Sequence, residues 1–142
     1  MIHNIRYRLF VYNHESENDL REGLKNILPT AKIEREIAEG VTGDKIIILT
    51  GEINKKRETK EFMNKLLEMN ESKITDLIND FEKKVDDHGN LFLRLSKKEA
   101  CEDIFQICEG GDSIHLKVKV AAYPAKKTVA IELLEEFFST KN

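Results

Sequence analysis

The chain has 142 residues, 40% hydrophobic and 35% charged, enough apolar material for one core and too regularly patterned for disorder. Its net charge of −3 excludes the overall basic excess that marks many nucleic-acid binders, so an anion-binding surface would have to be local. No stretch approaches the roughly 18 continuous apolar residues of a membrane span, so no membrane contact is expected.

Residues 2–12 alternate. Ile5, Tyr7, Leu9 and Val11 would face a core, and Arg6, Arg8, Phe10 and Tyr12 would face away, the pattern of a strand and not of a signal sequence. The stretch SENDLREGLKNILP reads as a helix. Ser16 caps it, acidic residues fill its first turn, Leu20, Leu24, Ile27 and Leu28 form its stripe, and Pro29 ends it. Residues 31–53 read as two strands around the turn EGVTGD, where Gly40 and Gly43 are free to take positive φ. The second of these strands, KIIIL, is apolar on both faces and is expected to be covered on both sides. A helix over 57–69 buries Phe62, Leu66 and Leu67. A second, from about Ser72, carries Ile74, Leu77, Ile78, Phe81 and Val85 on one face and stops at DDHGN, with Gly89 as its cap.

In the strand 90–95, Leu91, Leu93 and Leu95 would enter the core while Phe92 and Arg94 face away. Ser96-Lys97-Lys98-Glu99 fits a capping box, the serine hydroxyl taking the amide three residues on and Glu99 reaching back. The helix it starts is expected to run towards Cys108 with Ala100, Ile104, Phe105 and Ile107 on board, ending at EGGD. Residues 113–122 alternate strictly, with Ile114, Leu116, Val118 and Val120 in and His115, Lys117 and Lys119 out. Tyr123-Pro124 breaks that strand, and a last helix carries Val129, Ile131, Leu133, Leu134, Phe137 and Phe138. The order β-α-β-β-α-α-β-α-β-α points to a single α+β domain over 1–142, a mainly antiparallel sheet with helices packed on one face.

The mean charge hides a pattern. Segments 1–12, 91–95 and 113–123 hold Arg6, Arg8, Arg94, Lys117 and Lys119 and no acid, leaving 18 cationic against 26 acidic side chains elsewhere. If these strands share a sheet, their outward face gathers five cations with Phe10, Tyr12, Phe92 and His115. Cations track a phosphate backbone, and exposed rings stack unpaired bases. Lys97 and Lys98, at a helix N-terminus, would extend the patch. The same face could instead meet a protein or be an ordinary wet surface. Glu34 and Glu36 would interrupt the basic surface, and Ile46 with Ile48, or Ile47 with Leu49, would lie exposed in mid-sheet. That favours a cover, such as a two-fold dimer packed through the sheet.

No constellation for catalysis stands out, and neither a cofactor nor an enzymatic activity is expected. His3, His14, His88 and His115 lie far apart, with no metal-ligand spacing. Asp86-Asp87-His88 reads as a polar run at a helix end. EGVTGDK lacks the Gly-Lys-Ser/Thr ending of a phosphate loop. If one helix carries both Cys101 and Cys108, they stand about 10 Å apart, beyond the reach of a disulfide, and a reducing cytoplasm is the simplest compartment.

At EGVTGDKIIILTGEI, GNLFLRLSKKEA and DSIHLKVKVAAYP the chain resembles a family of archaeal proteins described as predicted RNA-binding proteins and, for some members, as exosome subunits. The likeness spans about residues 7–138. Gly40, Gly43, Gly89, Asn90, Arg94, Lys97, Lys119, Tyr123 and Pro124 match the family's motifs. Ser96 stands where Asp is common, Lys98 replaces a Gln, and the segment after Cys101 departs from a small-residue, Gly-containing pattern. The resemblance implies a ribosomal L5-like fold with likeness to RNA-recognition domains, a homodimer, RNA as partner and an association with exosome components.

Overall fold

A computed structural model describes residues 1–141. The elements are β1 (Ile2–Val11), α1 (Glu17–Ile27), β2 (Glu34–Glu39), β3 (Lys45–Ile53), α2 (Lys56–Met69), α3 (Ile74–Asn79), α4 (Phe81–Lys84), β4 (Asn90–Leu95), α5 (Lys97–Cys101), β5 (Ile114–Val120) and α6 (Lys127–Lys141). The strands form one five-stranded sheet in the order β2-β3-β1-β5-β4, with every neighbouring pair antiparallel.

Period-two alternation decides which side of the sheet is dry. Ile5, Tyr7, Leu9 and Val11 of β1, Leu49 and Ile53 of β3, Leu91, Leu93 and Leu95 of β4, and Ile114, Leu116, Val118 and Val120 of β5 are all buried. They join one cluster with Leu24 of α1, Phe62 and Leu66 of α2, Leu77 of α3, Phe81 of α4, and Leu134 and Phe138 of α6. The helices therefore lie on one face of the sheet, and the other face is open.

One close approach in this core depends on glycine. A Cβ on Gly51 would stand 2.4 Å from both Cζ and Oη of Tyr7, so the ring can lie across β3 only because Gly51 has no side chain. The buried Tyr7 hydroxyl has no hydrogen-bond partner among the described residues. Burial pushes its pKa up to about 12 against the opposing pull of the Arg21 charge.

The structure corrects two expectations. The helix expected from Ser72 is a 3-10 turn, Glu71–Lys73, followed by α3 and α4. The chain passes from α3 to α4 at Asp80, whose amide donates to the Asp76 and Leu77 carbonyls while its carbonyl accepts from Lys83 and Lys84. The apolar stripe survives the break, because Ile74, Leu77, Phe81 and Val85 are all buried.

The helix begun by Ser96 does not run towards Cys108 but stops at Cys101. Asp103 takes φ 61°, the Asp103 amide donates to Ala100 O (3.0 Å) and the Ile104 amide to Glu99 O (2.9 Å). This is the left-handed C-terminal motif usually built on glycine, here with an aspartate in its place. Residues 106–108 then run beside the end of β4, through Ser96 N to Gln106 O and Cys108 N to Arg94 O, each 2.9 Å. Ser96 Oγ accepts from the Glu99 amide as expected, but the Ser96 amide is taken by Gln106 and not by Glu99.

In KIIIL, Leu49 is fully buried, whereas Ile46 and Ile48 are half-buried on the open face, where no described element covers them.

Candidate nucleic-acid interface

Antiparallel register sets the open face out in rows, with neighbouring Cβ atoms about 4.5–5.5 Å apart. One row crosses all five strands: Glu34, Thr50, Arg8, His115, Arg94. The next runs Glu52, Arg6, Lys117, Phe92. Glu36, Ile48 and Phe10 align on one side of these two rows, and Asn4, Lys119 and Asn90 on the other. β1, β5 and β4 are neighbours, so their cations and rings share one surface, and these three strands contain no acid. The acids collect at the β2 and β3 side.

The side chains differ in how free they are. Arg6 Nε pairs with Glu52 at 3.2 Å, with both side chains about half exposed, a contact worth little in water. The Arg8 guanidinium stands 5.3 Å from the centroid of Phe10, and the Phe10 ring meets His115 edge-on at 6.3 Å. Arg94 Nη1 donates to the Glu109 carbonyl (3.1 Å), which fixes the guanidinium while leaving its other donors outward. Lys117 is exposed, and Phe92 is 45% exposed, an unusual position for a phenyl ring. Lys119 is half-buried and donates to the His88 carbonyl.

Lys97 stands apart from these. It is 8% exposed, and its ammonium donates to the Phe10 carbonyl (2.8 Å), Glu15 Oε1 (3.0 Å) and the Asp112 carboxylate. The ammonium also lies 5.1 Å from the Tyr12 ring centroid. Its charge is thus consumed inside the protein, tying β1, α5 and the 109–113 loop together. Lys98 is exposed on α5, which packs against α1 outside the strand rows. The mid-sheet set divides as well. Ile46 and Ile48 lie on the open face, while Ile47 and Leu49 point to the helices.

Sequence reasoning missed Lys83 and Lys84. As a basic pair in a helical turn they read as an ordinary solvated face, yet α4 brings them beside β4. There, with Asp80, Phe92, Leu93, Arg94, Glu109 and His115, they line a concavity of about 540 Å3. A second concavity of about 300 Å3 lies over the sheet between Arg6, Arg8, Thr50, Phe92, His115 and Lys117. Phe92 borders both.

Asp86-Asp87-His88 is a turn. The Asp86 carboxylate accepts from the amides of His88 (3.0 Å) and Asn90 (2.9 Å) and from Asn90 Nδ2. Burial pushes the carboxyl up, but the Asn90 and His88 hydrogen bonds outweigh it and hold it below its ordinary value. Among the described residues no three His, Cys, Asp or Glu gather as metal ligands, and no helix is long and apolar enough to cross a membrane.

A one-sheet α+β protein whose open face concentrates cations and rings on three adjacent strands is the class that fold and surface define. The chain belongs to the family described as RNA binding, whose model matches residues 4–120. It is 31% identical over 144 residues to the RNA-binding protein PAB1135 of Pyrococcus abyssi, covering 95% of this chain and 92% of that one. The solved structure of Mth689, a DUF54 protein from Methanothermobacter thermautotrophicus, is similar with a TM-score of 0.85 and 43% identity, over 97% of this chain and 98% of the other.

Proposed function

We propose that this protein is a non-enzymatic RNA-associated protein that docks the phosphate backbone on the open face of its sheet. The observation that carries the reading is the pair of adjacent rows, Arg8-His115-Arg94 and Arg6-Lys117-Phe92, on strands without a single acid. Arg8, Arg94 and Lys117 are the principal phosphate contacts. Arg6 joins them by exchanging Glu52 for phosphate, and Phe10 and Phe92 offer ring faces. Lys119 borders the patch. Membership of the RNA-binding family supports the reading. A cytoplasmic setting, in keeping with the free Cys101 and Cys108, belongs to the same proposal, as do a role in RNA processing beside exosome components and an L5-like fold, which rest on the family resemblance.

A second reading has its own observation. Ile46 and Ile48 are half-buried and uncovered on the open face, beside the acids of β2. A homodimer joined through this face would cover them and leave no room for RNA. Charge reversal separates the two. Arg94→Glu should abolish binding of a labelled RNA by fluorescence anisotropy and leave the elution volume on size exclusion unchanged. A shift from dimer to monomer, with no RNA bound by either protein, would replace the first reading with the second.

A further inference from the structure

We propose that the RNA taken by this face is single-stranded and that Phe92 is the wedge over which it turns, with one nucleotide held on the sheet and the next in the pocket at the β4 edge. This rests on the RNA-binding reading above and adds the class of RNA and the geometry of its path.

Phe92 borders two concavities. The inner one, about 300 Å3, is floored by the sheet and carries Arg6, Arg8 and Lys117. The outer one, about 540 Å3, carries Lys83, Lys84 and Arg94 against the carboxylates of Asp80 and Glu109, a lining that stays positive. Both volumes lie in the range of small-ligand sites, about 300–1,000 Å3. Each therefore pairs an opening of nucleotide size with cations for a phosphate, and the exposed ring stands where the two adjoin.

The edge of β4 explains why the outer pocket exists. The strand is paired on its outer side at both ends, Asp86 N to Asn90 O and Cys108 N to Arg94 O, each 2.9 Å. Between these crossings the edge is left to the pocket. Strand alternation turns the Phe92 carbonyl and the Arg94 amide towards that same edge, since the Asn90 and Arg94 carbonyls both point there. An acceptor and a donor side by side on an edge strand can meet the hydrogen-bonding edge of a base.

Stacking decides against a duplex. A ring can lie only on a base whose face is free, and in an A-form helix each base is covered by its neighbours. A path that bends from the sheet face around an edge strand also needs a backbone with the freedom of a single strand. Glu109 sets the outer boundary of the path, because its carbonyl holds Arg94 and its carboxylate holds Lys84 at 3.3 Å.

The test uses the full chain with fluorescein-labelled RNA of about ten nucleotides, single-stranded and annealed to its complement, followed by anisotropy in one buffer. A single strand with 2-aminopurine at each position in turn reports stacking. Single strand should bind at least tenfold tighter than duplex. Phe92→Leu keeps an apolar side chain at an exposed site and should weaken single-strand binding roughly 5- to 150-fold, the range of one lost stacking contact. Phe92→Tyr should restore it, and 2-aminopurine quenching at one position should vanish in Phe92→Leu alone. Equal affinity for duplex, or an unchanged affinity in Phe92→Leu while Arg94→Glu abolishes binding, would overturn the wedge and leave the RNA-binding reading standing. No binding of either RNA would overturn both.

Discussion

Lys97 offers a sharp test of how the chain spends its cations. Lys97→Met keeps an unbranched stem and removes the charge. The side chain is 9% exposed and its partner Glu15 16%, so both charges are largely out of water. Removing one partner from a buried pair costs about 3–5 kcal/mol, because the other charge is left uncompensated. Asp112 is 56% exposed, so water screens its share, and the loss should fall near the lower limit, about 3 kcal/mol. Unfolding entropy scales with length, and for a chain of this size 1 kcal/mol is worth about 3 °C, so Tm should fall by about 9 °C. Thermal melts followed by circular dichroism at neutral pH measure it. Glu15→Gln added to Lys97→Met should recover part of the loss by removing the orphan carboxylate. RNA affinity, measured well below Tm, should change less than in Lys117→Glu. A Tm within about 2 °C of wild type together with a tenfold loss of RNA affinity would show the Lys97 ammonium free to meet phosphate, and would refute the reasoning.

Three further outcomes follow from the same packing. Gly51→Ala forces a Cβ against Tyr7 and should destabilise by about 1–3 kcal/mol in a denaturant titration, with a smaller loss in a Tyr7→Leu background. The folded pKa of Tyr7, about 12, lies above the ordinary tyrosine value of 10.0, so the unfolded chain loses this proton first. Stability should therefore be unaffected by Tyr7 below pH 10.0 and fall as pH rises towards 12, and the slope should be shallower in Tyr7→Phe. Asp86 is depressed below its ordinary value, so its stabilising contribution is present above the usual carboxylate range and is lost on acidification. Asp86→Ala should remove about 1–3 kcal/mol at neutral pH and flatten the acid limb of the stability curve.

The fold was legible wherever a local pattern carried it. The alternation in β1 and β5 separates buried from open residues position by position, and Ser16 and Ser96 cap α1 and α5 through the amides of Asp19 and Glu99. What stayed hidden depends on backbone conformation or on distant neighbours. The stop of α5 rests on Asp103 taking a left-handed conformation that a sequence signals clearly only with glycine. Lys97 sits in a run that reads as an exposed helix start. Its burial comes from Glu15, 82 positions away, and from Asp112 on a loop that folds back because the helix ended early. The same early end brings Glu109 beside Arg94 and Lys84, which no spacing in the chain announces. The basic strands could be named from sequence, but that β5 lies between β1 and β4, closing their cations into two rows, is a matter of long-range pairing.

The central claim is that the open sheet face holds the phosphate backbone of RNA. The most direct measurement is a titration of labelled single-stranded RNA with the wild-type protein across a salt series, repeated with Lys117→Glu. With about three to five phosphates held, log K should fall against log salt with a slope between about −2 and −3.5, and Lys117→Glu should weaken binding and flatten the slope by about 0.7. Absence of binding at low salt, or an affinity indifferent to both salt and the reversal of Lys117, would contradict it.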